Sequence, residues 1–236
     1  MSRLLLVRHG QASFGARNYD ALSDRGKQQS SVLGAELAAR GASPDLVLRG
    51  NMRRHAETAE ALLQGAGVEV EVRLDEGWDE FDFQHVVEAH KPMYRNRTLM
   101  KADLARTLRP VQAFQQVFEE ATLRWSSGEH DDDYAESFPA FRERVAAALV
   151  RAEEVVREHR VVAVASSGGP IAMAAALLTA GAAVEPGQLA VLWSALNRVS
   201  VNTGVTKVIA GKRGLSLSTY NEHTHLETDS DLLTYR

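Results

Sequence analysis

The sequence predicts an α/β protein, a three-layer α/β/α sandwich in which helices cover both faces of a mostly parallel central sheet. Short continuous apolar runs at 4–7, 46–48 and 161–165 are typical of strands that are buried on both faces of a sheet. Each run is followed by a polar loop and then by a segment whose apolar residues have helical spacing. This alternation of strands and helices favours a parallel sheet with helices on both sides.

Two helices and a further strand are predicted in the first half of the chain. One helix follows the run at 4–7, the other follows the run at 46–48, and the strand comes after the second helix. Ser23 begins a helix that Gly41 and Pro44 end. A second helix is expected through 58–63. Residues 68–72 alternate between apolar and charged side chains, which predicts a third strand nearer an edge of the sheet.

The second half begins with a long segment that lacks a strand pattern. Residues 84–128 are predicted to be mainly helical, with breaks at Pro92 and Pro110, and to form an insertion over the active-site end of the sheet. A long helix is expected over 139–157. Late strands are predicted at 198–201, 206–209 and 215–219. The last two are expected to pair as a hairpin, and the whole chain, 1–236, is expected to form a single domain.

Composition and charge exclude several classes of protein. The 236 residues include 27 lysines and arginines against 31 aspartates and glutamates, a net charge of −4, so no nucleic-acid partner is expected. The chain has no cysteine, which excludes disulfides and thiolate chemistry and fits a cytoplasmic location. No apolar stretch approaches the roughly 20 residues of a membrane span, and 4–7 is too short for the core of a signal peptide, so no membrane association is expected.

Three loops that follow predicted strands carry the residues best suited to chemistry. They are Arg8-His9-Gly10-Gln11, the arginine-containing segment 49–54, and the small-residue turn 166–170. The carboxyl ends of parallel strands meet at one edge, where ligands bind in open α/β sheets. A histidine, arginine side chains and a helix N-terminus together suit a phosphoryl group. Taken singly, the histidine is more often a polar residue at a strand end, the arginines are usually solvated surface, and the turn is consistent with an ordinary connection between a strand and a helix.

Taken together and in order, these segments resemble the histidine phosphatase superfamily, the phosphoglycerate-mutase-like fold. Residues 5–11 are similar to its Arg-His-Gly signature, and 54–59 (RHAETA) to its Arg-Ala-x-Gln-Thr-Ala segment. Further similar segments are the helix start at 22–29, the acidic segment at 80–83, the Glu-Ser…Arg segment from 136 to 144 and the closing Asn-x-x-His-Leu stretch at 220–226. The resemblance extends over essentially the whole chain.

The resemblance implies a role for each matched residue. His9 is the nucleophile that carries a covalent phosphoryl group, and Arg8 and Arg54 bind the phosphoryl oxygens. Glu80 protonates the leaving oxygen and is expected to be partly buried. Further phosphate contacts are expected from Ser167, Gly168 and Gln11. No metal ion and no cofactor is implied.

The assignment of the proton donor depends on spacing. Glu76 and Asp79 lie close to Glu80, and the segment Trp78-Asp79-Glu80 differs from the usual Leu-x-Glu. The distance to the following Asp82-Phe83 favours Glu80, with Glu76 as the alternative.

The sequence departs from the family pattern in three places. Ser167 stands where a second histidine is usual, in a Ser-His-Gly-Gly turn. Gly15 replaces a usual asparagine, for which Asn18 is a possible substitute. The segment between Gly10 and Leu22 is shorter than in the sugar-phosphate mutases, which favours hydrolysis over return of the phosphoryl group.

Three functions are consistent with these observations. The first is a metal-independent phosphatase that hydrolyses a small-molecule phosphate monoester through phosphorylated His9. The second is a non-catalytic or weakly active phospho-ligand-binding protein, which the replacement at Ser167 favours. The third is a phosphoglycerate-type mutase. A homodimer is possible, because the apolar stretch 189–193 fits either a subunit contact or the core.

Overall fold

The computed structural model describes residues 2–13, 20–181 and 184–235. Within these ranges it contains one six-stranded sheet, in the order β3-β2-β4-β1-β5-β6. The strands are β1 (Ser2–Arg8), β2 (Leu46–Arg49), β3 (Val72–Leu74), β4 (Val161–Ser166), β5 (Val205–Gly211) and β6 (Gly214–Glu222). The first four are parallel, and β5 and β6 join antiparallel at one side. The predicted α/β class is confirmed, and the sheet as a whole is mixed.

Helices connect the strands and account for most of the remaining described chain. They are α1 (Asp24–Ala39), α2 (Arg53–Ala66), α3 (Phe83–His90), α4 (Arg97–Ala105), α5 (Pro110–Ser126), α6 (Phe138–Glu158), α7 (Gly168–Ala180) and α8 (Pro186–Arg198). The predicted helical character of 84–128 is confirmed by α3, α4 and α5. None of the helices in the described ranges is both long enough and apolar enough to cross a membrane.

Both faces of the central strands β1 and β4 are buried, as their continuous apolar runs predict. In β1, Leu5 and Val7 pack against side chains of α1 and α2. Leu4 and Leu6 point to the opposite face and have no exposed surface. Helix α7 packs against β1 and β6. A strand with no polar face is stable only between two helical layers, which places the strand ends, rather than the faces, in reach of a ligand.

Two predicted strands differ from the structure. The third strand begins at Val72 rather than 68, although it does lie at an edge. Helix α2 is capped by Gly67, which has a left-handed backbone (φ 64°), and Val68 N–H still donates to Leu63 O (3.3 Å). Because Val68 belongs to the helix cap, the strand begins later in the chain.

The strand predicted at 198–201 does not form. Arg198 is the last residue of α8, and side chains bind the backbone groups that a neighbouring strand would have bound. The Arg8 guanidinium donates to Ser200 O, and Val201 N–H donates to Asn221 Oδ1 (2.9 Å). The hairpin of the last two strands is confirmed, with Gly211 paired to Gly214.

Helices α1 and α2 cross at glycine positions that allow their backbones to touch. A Cβ on Gly34 would lie 2.0 Å from Leu62 O, and one on Gly65 would lie 2.0 Å from Ser31 O. We expect Gly34→Ala to lower the free energy of unfolding by about 2–3 kcal/mol, because rigid backbone must move apart. Gly187→Ala, in α8 where a Cβ meets nothing within 4 Å, is the matched control and should be neutral or slightly stabilising. Equal stability of the two variants in urea unfolding would contradict this close approach.

The chain divides into two compact units. The first consists of Met1–Glu80, Arg144–Val184 and Val191–Arg236, and it contains the whole sheet. The second consists of Phe81–Glu143 and Glu185–Ala190. Within the second unit Phe81 stacks on Trp125, with ring centroids 4.6 Å apart, and Trp125 Nε1–H donates to Glu136 O (2.8 Å). Its interior is therefore aromatic.

The apolar stretch 189–193 is only partly buried. Leu189 and Trp193 are buried, and Val191 is exposed.

Candidate active site

The sheet register brings the three chemistry-bearing loops to one edge of the first unit. Arg8, the last residue of β1, is paired with Ser166, the last residue of β4. Arg49, the last residue of β2, is paired with Ala165 of β4. The loops that begin after these residues therefore start side by side, as the sequence predicts.

His9 is held with one defined ring nitrogen available for reaction. Its Nδ1 lies 2.7 Å from Gly10 O, and because a carbonyl only accepts, Nδ1 must carry the hydrogen. The neutral ring then has its lone pair on Nε2. Burial, followed by the charges of Arg54 and Arg8, holds the pKa of His9 well below its usual value. The imidazole is therefore neutral at physiological pH, the form in which it is a nucleophile.

The backbone around His9 is fixed from both sides. Gly10 N–H donates to Thr58 Oγ1 (3.1 Å), which connects the loop to α2. A Cβ on Gly10 would lie 2.2 Å from Gly26 O, so this position must be glycine for the loop to reach the start of α1. On the other side, Asn202 Nδ2 donates to His9 O (3.0 Å). His9 thus lies on a turn that is fixed on both sides.

Arg8 is anchored by carbonyl groups of the C-terminal part of the chain. Its Nη1 donates to Ser200 O and to Tyr235 O (2.8 Å). Its Nε lies 3.7 Å from the position that a Cβ on Gly168 would occupy. The guanidinium therefore borders the N-terminus of α7.

Arg54 lies in the first turn of α2 and is 8% exposed. Its Nη1 pairs with Asp20 Oδ1 (2.7 Å), and its Nη2 lies 3.5 Å from Ser167 Oγ. The carboxylate fixes one arm of the guanidinium fork, so the other arm is directed at the turn after β4. Arg8, Arg54 and Ser167 are thus brought around the same helix N-terminus.

Glu80 and Gln11 contact the starts of two different helices, Glu80 that of α7 and Gln11 that of α1. Glu80 is partly buried, as predicted, and its Oε2 accepts from Gly169 N–H (3.3 Å) in the first turn of α7. Glu76 is exposed, and its Oε1 lies 3.5 Å from the side-chain nitrogen of Asn51. Because Glu80 contacts the first turn of α7, its position favours Glu80 over Glu76 as the predicted proton donor. Gln11 Oε1 accepts from Ser23 Oγ (3.0 Å), so this side chain helps to join the loop to the N-cap of α1.

Comparison with known proteins identifies the family of the chain. The family model described as histidine phosphatase superfamily (branch 1) matches residues 4–108 and 105–221. The chain belongs to the histidine phosphatase superfamily. No curated protein sequence matches it.

Solved structures show the same fold at low sequence identity. A phosphoserine phosphatase from Entamoeba histolytica is 18% identical with a TM-score of 0.63, over 96% of this chain and 100% of that one. A phosphoglycerate mutase from Bacillus anthracis is 16% identical with a TM-score of 0.63, over 96% and 95%. An α-ribazole phosphatase from Shigella flexneri is 18% identical with a TM-score of 0.58, over 94% and 96%. Since phosphatases and a mutase share this fold, the fold alone does not distinguish phosphatase from mutase activity.

The closing segment of the chain supports the loop that carries His9. Thr203 has a left-handed backbone (φ 58°), which is uncommon for a β-branched residue. Its N–H donates to Arg8 O (3.0 Å), and its Oγ1 is 3.0 Å from His225 Nε2. The closing stretch therefore has a structural role in holding the end of β1. Gly15 and Asn18, the family's asparagine position and its possible substitute, lie outside the described residues.

A histidine that lies beside His9 is not among the residues predicted from the sequence. His55, in the first turn of α2, has no exposed surface, and its ring centroid is 6.0 Å from that of His9. The signal was present in the motif, because His55 stands at the alanine position of the family's Arg-Ala-x-Gln-Thr-Ala segment. The role of His55 depends on its contact with Ser167, which is 112 positions away in the chain.

The buried His225 predicts a pH dependence of stability. Burial, its largest cause, lowers the pKa of His225 from 6.5 to about 4. As pH falls between these values, the unfolded chain binds a proton that the folded chain does not, so the free energy of unfolding should fall by about 3 kcal/mol. His225→Gln removes the titration but retains a polar group for Thr203. Between pH 7 and 4, the free energy of unfolding of this variant, measured in urea, should fall by about 3 kcal/mol less than that of the wild type. An equal fall in both proteins would refute the assignment to His225.

Proposed function

We propose that this protein is a metal-independent phosphatase that hydrolyses a small-molecule phosphate monoester through a phosphohistidine intermediate on His9. The observation that supports this most directly is the hydrogen bond from His9 Nδ1 to Gly10 O (2.7 Å), which leaves Nε2 as the nucleophile. The lowered pKa of His9 keeps that nitrogen unprotonated.

In the first half-reaction Nε2 of His9 attacks phosphorus and the ester P–O bond breaks. Charge on the phosphoryl oxygens is stabilised by the guanidinium groups of Arg8 and Arg54 and by the N–H group of Gly168 at the N-terminus of α7. The leaving oxygen takes a proton from Glu80, which lies at the same helix end. The products are the free alcohol and phosphorylated His9.

In the second half-reaction water replaces the histidine. The Glu80 carboxylate takes a proton from water, the water oxygen attacks phosphorus, and the P–N bond breaks. Phosphate leaves and His9 returns to its neutral form. Hydrolysis is favoured over phosphoryl return because the segment between Gly10 and Leu22 is short.

The test is hydrolysis of p-nitrophenyl phosphate in EDTA between pH 5 and 8, with acid- and alkali-quenched samples analysed for phosphohistidine. We expect turnover that survives chelation and a phosphoryl label that is lost in acid and retained in alkali, the behaviour of a phosphoramidate. Interconversion of phosphoglycerate isomers without phosphate release would identify a mutase instead. Binding of inorganic phosphate without turnover on any of a panel of esters would identify a binding protein.

A further inference from the structure

His55 and Ser167 form a buried pair at the proposed phosphoryl site. Both side chains have no exposed surface, and His55 Nε2 lies 2.8 Å from Ser167 Oγ. Ser167 is the N-cap residue of α7, a position at which serine ordinarily accepts a backbone N–H, yet its side chain makes no capping bond. Its hydroxyl is directed to the histidine instead.

The structure makes room for the His55 ring at this place. A Cβ on Gly50 would lie 2.3 Å from His55 Nδ1, so a glycine after β2 is required for the ring to fit. Within the described residues, Nδ1 has no hydrogen-bond partner, and the Asp79 carboxylate approaches it to 3.8 Å. The hydrogen bond that the His55 ring makes is therefore the one at Nε2, which faces Ser167.

The hydroxyl of Ser167 lies near two side-chain nitrogen atoms, Arg54 Nη2 and His55 Nε2. Arg54 Nη2 lies 3.5 Å from Oγ and can only donate. When His55 Nε2 also donates, both lone pairs of Oγ are directed at these two groups, and the hydroxyl hydrogen is left for a third partner. A phosphoryl oxygen bound between Arg54 and the N-terminus of α7 is an acceptor of the required charge.

We propose that His55 is a positioning residue that acts through Ser167: its Nε2–H donates to Ser167 Oγ and directs the serine hydroxyl hydrogen to the phosphoryl oxygen. This inference rests on the proposed function and names a further residue of the same site. It also connects the two departures from the family motifs, histidine for alanine at 55 and serine for histidine at 167. An imidazole is kept beside the nucleophile, but it reaches the site from α2 instead of from the turn after β4.

The first arm of the test separates hydrogen bonding from packing. His55→Phe keeps a ring without a donor, and His55→Gln keeps an N–H near the position of Nε2. For p-nitrophenyl phosphate in EDTA, we expect His55→Phe to lower kcat about 10- to 100-fold and to weaken inorganic phosphate binding about tenfold. His55→Gln should recover at least half of each loss on a logarithmic scale. Wild-type kcat and phosphate affinity in His55→Phe would overturn the proposal, as would equal losses in both variants.

The second arm exchanges the position of the imidazole. Since Ser167 Oγ is 2.8 Å from His55 Nε2, a histidine at 167 that points in the direction of the serine would meet the ring of His55. We expect Ser167→His alone to lose activity at least tenfold, and His55→Ala/Ser167→His to exceed both His55→Ala and Ser167→His at least tenfold. A double variant no more active than His55→Ala would overturn the proposal. Thermal unfolding of every variant identifies those that are not folded, which are excluded from the comparison.

Inorganic phosphate affinity, measured by calorimetry, distinguishes the two hypotheses. If the wild type binds phosphate without hydrolysing any ester, the phosphatase assignment fails, and the affinities of the phenylalanine, glutamine and exchanged variants still decide the role of His55. If the wild type neither binds phosphate nor turns over, both are overturned. Turnover with no effect of His55 variants refutes only the positioning role.

Discussion

Replacing His9 with alanine is expected to lower kcat for p-nitrophenyl phosphate about 10⁴- to 10⁶-fold and to abolish the phosphohistidine label. The alanine variant has no atom to form the P–N bond, and water must attack the ester directly. The remaining arginines and helix N-terminus still bind phosphate, so KM should change far less than kcat. Steady-state kinetics and quench labelling of purified wild type and variant measure both effects.

Two comparisons make this result specific. His130→Ala removes an exposed imidazole and should leave turnover within about twofold of the wild type, which excludes a general effect of losing a histidine. Inorganic phosphate should bind His9→Ala within about tenfold of the wild type, which shows that the site is intact. Label or turnover that persists in His9→Ala at the wild-type level would refute the phosphohistidine mechanism.

Replacing Arg54 with alanine is expected to lower kcat/KM about 10³-fold. The guanidinium is buried, one of its arms is held by Asp20 (2.7 Å), and the other is directed at Ser167 (3.5 Å), so it enters the transition state already oriented. Arg54→Lys should regain no more than about tenfold, since an ammonium group cannot bind Asp20 and a phosphoryl oxygen with the same fork geometry. The measurement is kcat/KM for p-nitrophenyl phosphate in EDTA, with thermal unfolding as the test of folding.

The adjacent residue provides a matched control. Arg53 is exposed and pairs with Glu57 on the surface of α2 (2.6 Å). Arg53→Ala removes the same charge one position away and should change kcat/KM less than about threefold, because exposed ion pairs contribute little. Equal losses in the Arg53 and Arg54 variants would indicate a long-range charge effect and contradict the assigned role of Arg54.

No single motif is enough to assign a function to the loops, but their combination is. The short segments that carry Arg8, His9 and Arg54 could each be an ordinary loop. The register that pairs Arg8 with Ser166 and Arg49 with Ala165 places those segments at one edge. The choice of Glu80 over Glu76 from spacing agrees with the contact between Glu80 and Gly169.

Local apolar patterns and short motifs are enough to predict the class of fold, most of the elements and the residues at the strand ends. Tertiary contacts are needed to show which side chains replace backbone partners at 198–201, which groups hold Thr203 in its left-handed conformation, and that His55 reaches Ser167. Each of these depends on contacts between residues distant in the chain, such as Arg8 with Ser200 or Ser167 with His55. The position of a distant partner depends on how helices and strands pack, and a local pattern carries no information about that packing.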